Sequence, residues 1–333
     1  MYMSFNQFIL KEQYQKVRGL GDRLELMKEQ IEWKPFRPIV ATIFRDNKEI
    51  GGRKHTDEIL VVRTMLLQAW YGLSDEEMEF QANDRLSFRN FLDFPETVPD
   101  FSTIWKIRDR LKEAGKEQKI WNALQHQLNQ KGYEIKKGVI QDACFIEADF
   151  GRKRHYQEKK AEKHGEKMEY TKKQEQHMDK DGTFSVKHGQ VHFGYKNHVK
   201  MDVGNMLIRE YEVSTASLHD SQIDLVEKGD KKAYRDKGYF GAKLRAKDVL
   251  DRTMVRAGRG QELSQREIER NKAISHVRAP GERPFAVMKN IFNGARTKVK
   301  TLERVSIKEM FKCFGFNLYQ LVTLRRRELA KAL

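Results

Sequence analysis

Cysteine is nearly absent from this sequence. Cys144 and Cys313 are the only two in 333 residues, and neither belongs to a Cys-x-x-Cys or Cys/His ligand pattern. That argues against both a disulfide framework and a structural zinc site and fits a reducing cytoplasm. Long apolar runs are missing as well. No stretch reaches the ~18–20 residues that a membrane span needs, and the start, Met1 to Asn6, lacks the pattern of a secretory signal. No internal repeat is visible, and the only compositionally biased stretch is a charged segment near the middle. These gaps leave the expectation of a cytoplasmic, nucleoid-associated protein that does not enter a membrane.

What is present points to polyanions. Lys and Arg total 64 against 48 acids, a formal net charge of +16. A surplus of this size draws a chain to nucleic acid, with anionic lipid as the rival partner, because each neutralised phosphate releases counterions. Hydrophobic residues make up 39% and aromatics 10%, enough to build a core, and the length fits one large domain or two.

Residues 1–50 read as mixed and helical. A clearer helix follows: Thr56 is a possible cap, Asp57 and Glu58 occupy the first turn, and Ile59, Val62, Met65, Leu66, Ala69 and Trp70 recur at helical spacing up to Gly72. Ser74 with Glu77 three residues on forms a capping-box pattern, opening a second helix whose apolar side includes Met78, Phe80 and Ala82. Pro99 to Thr103 starts a third, with Ile104, Ile107 and Leu111 on one face and Lys106, Arg108 and Arg110 elsewhere. Short basic helices joined by tight turns suit either a helix-turn-helix reader or a plain helical bundle.

The pattern changes near residue 138. Gly138 to Ile146 is short and apolar with one acid inside it, Asp142, and reads as a buried strand. Residues 151–180 are charge-dense and suit a loop or an exposed helix. Val191 to Val203 and Met206 to Ser214 form strands around a Gly204-Asn205 hairpin turn. A short helix is expected over Gln222 to Glu227, a strand over Lys232 to Asp236, and a further strand over Thr253 to Ala257. Residues 258–277 are polar and basic, helix resumes near Pro284, and Ile307 to Leu333 reads as a long basic helix. Three strands, then strands alternating with helices, make an α/β fold with a mixed sheet flanked by helices.

Three acids stand out. An unpaired carboxylate at Asp142 would cost several kcal/mol, so a cation, backbone donors or a metal must compensate it. Asp236 ends a short strand before a Gly-containing turn. If the first and fourth strands are neighbours, Asp142 and Asp236 face each other, and both stay ionised only with a cation between them. Mg²⁺ suits carboxylate oxygens and keeps waters for phosphates. Glu282 lies between Arg278 and Lys289 at spacings of four and seven, one side of a helix, although Pro280 and Pro284 put it equally well at a helix start. Each acid also has a plain explanation: a turn former, a helix cap or a surface ion pair. Glu147 and Asp149 differ from Asp142 in strand parity and should face the other way. Asp220, beside His219, competes with Asp236.

In order along the chain, these stretches resemble bacterial insertion-sequence DDE transposases, of the group named after insertion sequence five. The resemblance rests on Val139-Ile140-Gln141-Asp142-Ala143 with Ile146-Glu147-Ala148, and on Thr215-Ala216 through His219-Asp220 followed by Asp236-Lys237-Gly238-Tyr239. It extends to Arg278-x3-Glu282-x6-Lys289 and, upstream, to Trp70 through Asp75 and Pro99 through Ile104. Related proteins often carry a tyrosine where Ser275 stands here. The resemblance implies an RNase H-like catalytic domain over 131–333, with a charged insert at about 148–188, after a helical DNA-binding or dimerisation region over 1–130. It implies Asp142, Asp236 and Glu282 as the catalytic, metal-binding triad for two Mg²⁺, with Mn²⁺ able to substitute. Arg278 and Lys289 would hold DNA phosphates, and Asp220 would be a supporting residue, with Asp220 also the alternative second catalytic acid. The implied substrate is double-stranded DNA, both terminal inverted repeats and target, acted on by a homodimer or higher oligomer. A transposase-derived DNA-binding protein without catalysis, and a stand-alone RNase H-like nuclease, are the competing readings. The basic start of the insert, Arg152-Lys153-Arg154, is a further possible DNA contact.

Overall fold

A computed structural model describes residues 4–44, 55–166, 168–176, 178–187 and 189–332, with the side chains of 152–155, 176 and 332 outside the description. The expected DNA contact by Arg152-Lys153-Arg154 and the end of the helical reading of 1–50 lie outside the described residues and side chains.

The first part is helical: α1 (Phe5–Gly19), α2 (Arg23–Lys28), α3 (Arg37–Ala41), α4 (Glu58–Tyr71), α5 (Asp75–Asp84), α6 (Leu86–Phe91), α7 (Phe101–Ala114) and α8 (Glu117–Gln130). The cap of α4 is Asp57 rather than Thr56, its carboxylate accepting from Ile59 and Leu60 N–H, and Gly72 closes the helix in the left-handed region. Ten consecutive residues of α4, Val61 to Trp70, are buried. A helix apolar nearly all round belongs inside a core, so α4 cannot lie in a DNA groove. In α5, capped by Ser74, Met78 and Ala82 are buried, but Phe80 points outward at 61% exposure. It does not share their face. In α7, capped by Asp100, the expected Ile104, Ile107 and Leu111 are buried, and so is Arg108. The Arg108 guanidinium ion-pairs with Asp75 and donates to Gln68 Oε1 at 3.0 Å, which joins α7 to α5 and α4.

The last helix, α13 (Leu302–Ala332), is the spine of the molecule. It starts before the expected Ile307, and its first two-thirds is core: Val305, Met310, Phe311, Phe314, Phe316 and Leu318 are each about fully buried. Its exposed basic cluster lies at the end, at Arg325, Arg326, Arg327 and Lys331, while Lys308 and Lys312 are buried nearer its start. Each such large apolar side chain removed from water contributes about 1.5–3 kcal/mol. Helix α13 packs on α4, α7 and α8 on one side and on the sheet on the other, so one continuous apolar cluster runs through both parts of the chain.

The sheet has the order β2-β3-β1-β5-β6, with β4 also paired to β3. Strand β1 (Val139–Glu147) runs antiparallel to β3 (Gln190–Asp202), which runs antiparallel to β4 (Ile208–Thr215). Strand β5 (Lys232–Arg235) lies parallel to β1, and β6 (Leu250–Thr253) parallel to β5. The strand β2 (Thr183–Lys187), a hairpin partner of β3, was not expected within a charged stretch. That stretch also carries α9 (Arg152–Lys163) and α10 (Lys172–Gln176).

Three expectations for the connections fail, each for a visible reason. No α-helix forms over Gln222 to Glu227. The buried Gln141 side chain donates to Ile223 C=O at 2.7 Å and accepts from Leu225 N–H at 3.3 Å, holding this stretch extended after a single 3₁₀ turn. Between β5 and β6 there is only the 3₁₀ turn Lys237–Tyr239 where an αβ step was expected. The strand placed at Thr253 to Ala257 ends at Thr253, because the Asn271 side chain takes both Val255 backbone groups at 2.9 Å. Helix also returns earlier than Pro284, in α11 (Gln265–Arg278), which begins with a Ser264–Glu267 capping box. The whole is a mixed α/β fold with a curled sheet, the RNase H-like architecture, preceded by a helical region.

Candidate active site

Strand β5 pairs with β1 only at Val139 and Ile140. From Asp142 onward, no strand among the described residues lies beside that edge of β1 until Glu147 meets Arg296. The gap is a cleft of about 470 Å³, and Asp142, Asp236, Arg278, Glu282 and Lys289 all line it.

Asp142 is largely buried. Its Oδ1 accepts from Ala143 N–H at 2.9 Å and its Oδ2 from Arg278 Nη2 at 2.8 Å. Burial pushes its carboxyl up to about 6; Arg278 and the Ala143 N–H oppose the shift, while the nearby Asp236 and Glu282 carboxylates add to it. Desolvation and like charge thus both disfavour the ionised form, and cations counter them. Asp236 follows the last residue of β5. Its Oδ1 accepts from Gly238 N–H at 2.8 Å and caps the turn Lys237–Tyr239. The cap explains the Asp-x-Gly-Tyr spacing: the acid is held at the strand's end while Tyr239 is buried beneath it.

The third acid comes from an irregular helical rod. Helix α11 passes through a 3₁₀ turn, Ala279–Gly281, into α12 (Glu282–Ala286) and then a π-turn, Val287–Ile291. Pro280 and Pro284 lack the N–H groups of a regular ladder, which accounts for the tight turn between α11 and α12. Glu282 is therefore both at a helix start and within one helical run. Gly281 lets this run approach β1: a Cβ there would stand 3.2 Å from Ile140 Cγ2. Lys289 sits in the π-turn, a local widening often found at functional sites, and acts on the Cys144 thiol, which burial raises to about 11 and Lys289 draws down.

Other expected residues lie elsewhere. Asp220 opens a 3₁₀ turn and accepts from Lys196 Nζ at 2.8 Å; it is not among the residues of the cleft. Glu147 is engaged across to β3 by His192 Nδ1 at 2.5 Å, and Asp149 accepts locally from Gly151 N–H at 2.9 Å; neither is among the residues that line the cleft. Ser275 is exposed on α11. The sequence reading missed one wall of the cleft, formed by Lys187, Gln190 and His192 of the β2–β3 hairpin together with Phe145. His192 stacks on Phe145 with ring centroids 4.2 Å apart. The alternation of Thr183 to Lys187 was the available signal.

The donor set suits a hard divalent cation, since it consists of carboxylate oxygens, one of which, on Asp142, is held in a setting that disfavours its charge unless a cation accompanies it. Among the described residues, no three His, Cys, Asp or Glu side chains stand close enough to form a ready metal cage. In this arrangement the counter-charge on Asp142 is the Arg278 guanidinium.

An acid within one strand, a second just past the end of its parallel neighbour and a third on a late helix, in a cation-lined cleft of an RNase H-like sheet, are the layout of an enzyme that acts on a phosphodiester backbone. Residues 138–318 match the family model described as Transposase DDE domain, and residues 11–110 match the one described as Transposase domain (DUF772). No solved structure matches. The chain belongs to the DDE transposases of insertion sequences: it is a DNA transposase, an enzyme whose substrate is DNA and whose family uses divalent metal ions. Among the described residues no helix is long and apolar enough to cross a membrane.

Proposed function

We propose that this transposase cleaves the ends of an insertion sequence and joins them to target DNA with Asp142, Asp236 and Glu282 as its catalytic acids. The observation that carries this reading is the convergence of all three carboxylates, with Arg278 and Lys289, on one cleft. Asp142, Asp236 and Glu282 would hold two Mg²⁺ ions, with Mn²⁺ able to substitute, and the bound pair supplies activation of the attacking oxygen and stabilisation of the leaving one. Arg278 ion-pairs with Asp142 in this structure and, with a cation held by that carboxylate, would be available to a DNA phosphate. Lys289 approaches the cleft from the π-turn as a second phosphate contact. The absence of Asp220 from the cleft, and its ion pair with Lys196, favour Asp236 as the second acid and a supporting role for Asp220.

The remaining expectations form part of the same proposal. Residues 1–130 serve DNA binding or dimerisation, 131–333 are catalytic with the insert at about 148–188, and the active form on DNA is a homodimer or higher oligomer. Assignment to the insertion-sequence-five group and association with the nucleoid rest on the sequence motifs and the net charge of +16. Supplying a duplex of the element's inverted repeat with a free 3′-hydroxyl, a target plasmid and Mg²⁺ tests the function. Joined products are expected. Nicking without joining would leave a nuclease, and binding with neither would leave a DNA-binding protein.

A further inference from the structure

A second cavity lies away from the catalytic cleft, where α4, the turn into α5, α7 and the start of α13 meet. It measures about 200 Å³, and Gln68, Asp75, Arg108, Lys298, Lys308 and Phe311 are among the residues that line it. Lys308 is only 8% exposed. Among the described residues its ammonium has no hydrogen-bond or ion-pair partner, although its neighbours are matched. Arg108 is engaged by Asp75 and Gln68. Lys312 pairs with Glu309 and donates to Gly294 C=O at 2.9 Å. Glu76, at the cavity's edge, is exposed.

Two basic side chains therefore line the cavity without a partner among the described residues, Lys308 inside and the exposed Lys298 at the rim, against one unengaged acid, the exposed Glu76. Burial pushes the Lys308 amine down to about 7, and Lys312, Arg108 and Lys298 push the same way while Glu309 opposes them. A lysine in a core is costly unless an anion or several polar partners accompany it. At this position, between Ile307 and Met310 on a core helix, an apolar residue of the same length would be better tolerated. The cavity is polar and larger than one water requires.

We infer that this cavity binds a phosphate-sized oxyanion, held by Lys308 from within and by Lys298 at the rim. The inference does not depend on the assignment of the catalytic acids. Two sources share this chemistry: free inorganic phosphate and the 5′-phosphate of a DNA strand end. An anion there would join α13 to the segment that carries Lys298, which also pairs with β1 through Thr297 N–H to Glu147 C=O at 2.8 Å.

The test is equilibrium dialysis of the full-length chain against radiolabelled inorganic phosphate at fixed ionic strength. Lys308→Met is expected to lose one bound phosphate per chain, and Lys298→Ala to weaken that site about tenfold. Because Lys308→Met replaces an unpartnered amine on a core helix with an apolar side chain of similar length, it is expected to melt no lower than the parent. Should it fail to fold, the exposed Lys298→Ala decides. Competition by a 5′-phosphorylated duplex, absent with its 5′-hydroxyl counterpart, would assign the site to a DNA end; no competition by either would assign it to the free anion. Equal phosphate stoichiometry and affinity in the parent and both variants would overturn the inference.

Discussion

Arg108 and His198 show how single buried polar groups shape this molecule. Arg108 is almost fully buried against Asp75 and Gln68, and removing one partner of such a pair leaves the other uncompensated. Arg108→Met should lower unfolding stability by about 3 kcal/mol, read as a lower urea midpoint at unchanged slope; an unchanged midpoint would show that the pair contributes nothing. His198 lies in β3, with its Nε2 2.8 Å from Ser214 Oγ and its Nδ1 without a partner among the described residues. Burial, aided by Lys196 and opposed by Asp220, depresses its pKa from 6.5 to about 4. The unfolded chain therefore binds the proton first as pH falls. His198's contribution is complete above 6.5 and declines as pH drops toward 4, by at most about 1.4 kcal/mol per unit. His198→Gln should flatten that part of the acid-stability profile, and a profile identical to the parent's would contradict it. At this scale the sequence was informative where burial and charge conflict. Asp142 in an apolar run announced its need for a cation, and Arg278 supplies one. The burial of Arg108 and His198 depends on packing from distant elements and left no local mark.

At the scale of elements, the rod from α11 to the π-turn determines which side chains reach the cleft. Gly281 packs against Ile140 and Met201 with an ordinary backbone conformation, so substitution there strains packing rather than dihedrals. Gly281→Val should displace Glu282 and reduce DNA cleavage roughly a hundredfold at a stability cost of about 1–3 kcal/mol. Cleavage at the parent rate would show that the close approach does not position Glu282. Helix ends were legible to within a residue because they are local: Ser74 and Gly72 act within a few residues of their own helices, while the cap of α4 is Asp57, one residue past the expected Thr56. The stretch Gln222 to Glu227 was misread because its conformation is set by Gln141, on another strand. Strand β2 was hidden by its charged surroundings, and with it the hairpin wall that carries Lys187, Gln190 and His192.

At the scale of the whole molecule, α13 joins what the sequence suggests are two regions. Its buried face packs on the N-terminal helices and on the sheet, so a basic tail in the sequence reading is largely the core in the structure. The periodicity of a helix buried on most sides does not distinguish it from a surface helix with a few charges. Net charge is a property of the whole chain, and DNA binding should weaken steeply as salt rises. Lys289→Ala is expected to reduce the slope of log affinity against log salt by about one; an unchanged slope would remove Lys289 from the phosphate contacts.

The central claim is that Asp142, Asp236 and Glu282 together perform the cut. The direct measurement is cleavage of an inverted-repeat duplex, with binding followed in parallel, for the parent, Asp142→Asn, Asp236→Asn and Glu282→Gln, each with Mg²⁺, Mn²⁺ or chelator. The account predicts parent cleavage with either metal and none with chelator, and a loss of roughly a thousandfold or more in each variant with DNA binding retained. Metal-dependent cleavage at the parent rate by any one of the three variants would contradict it.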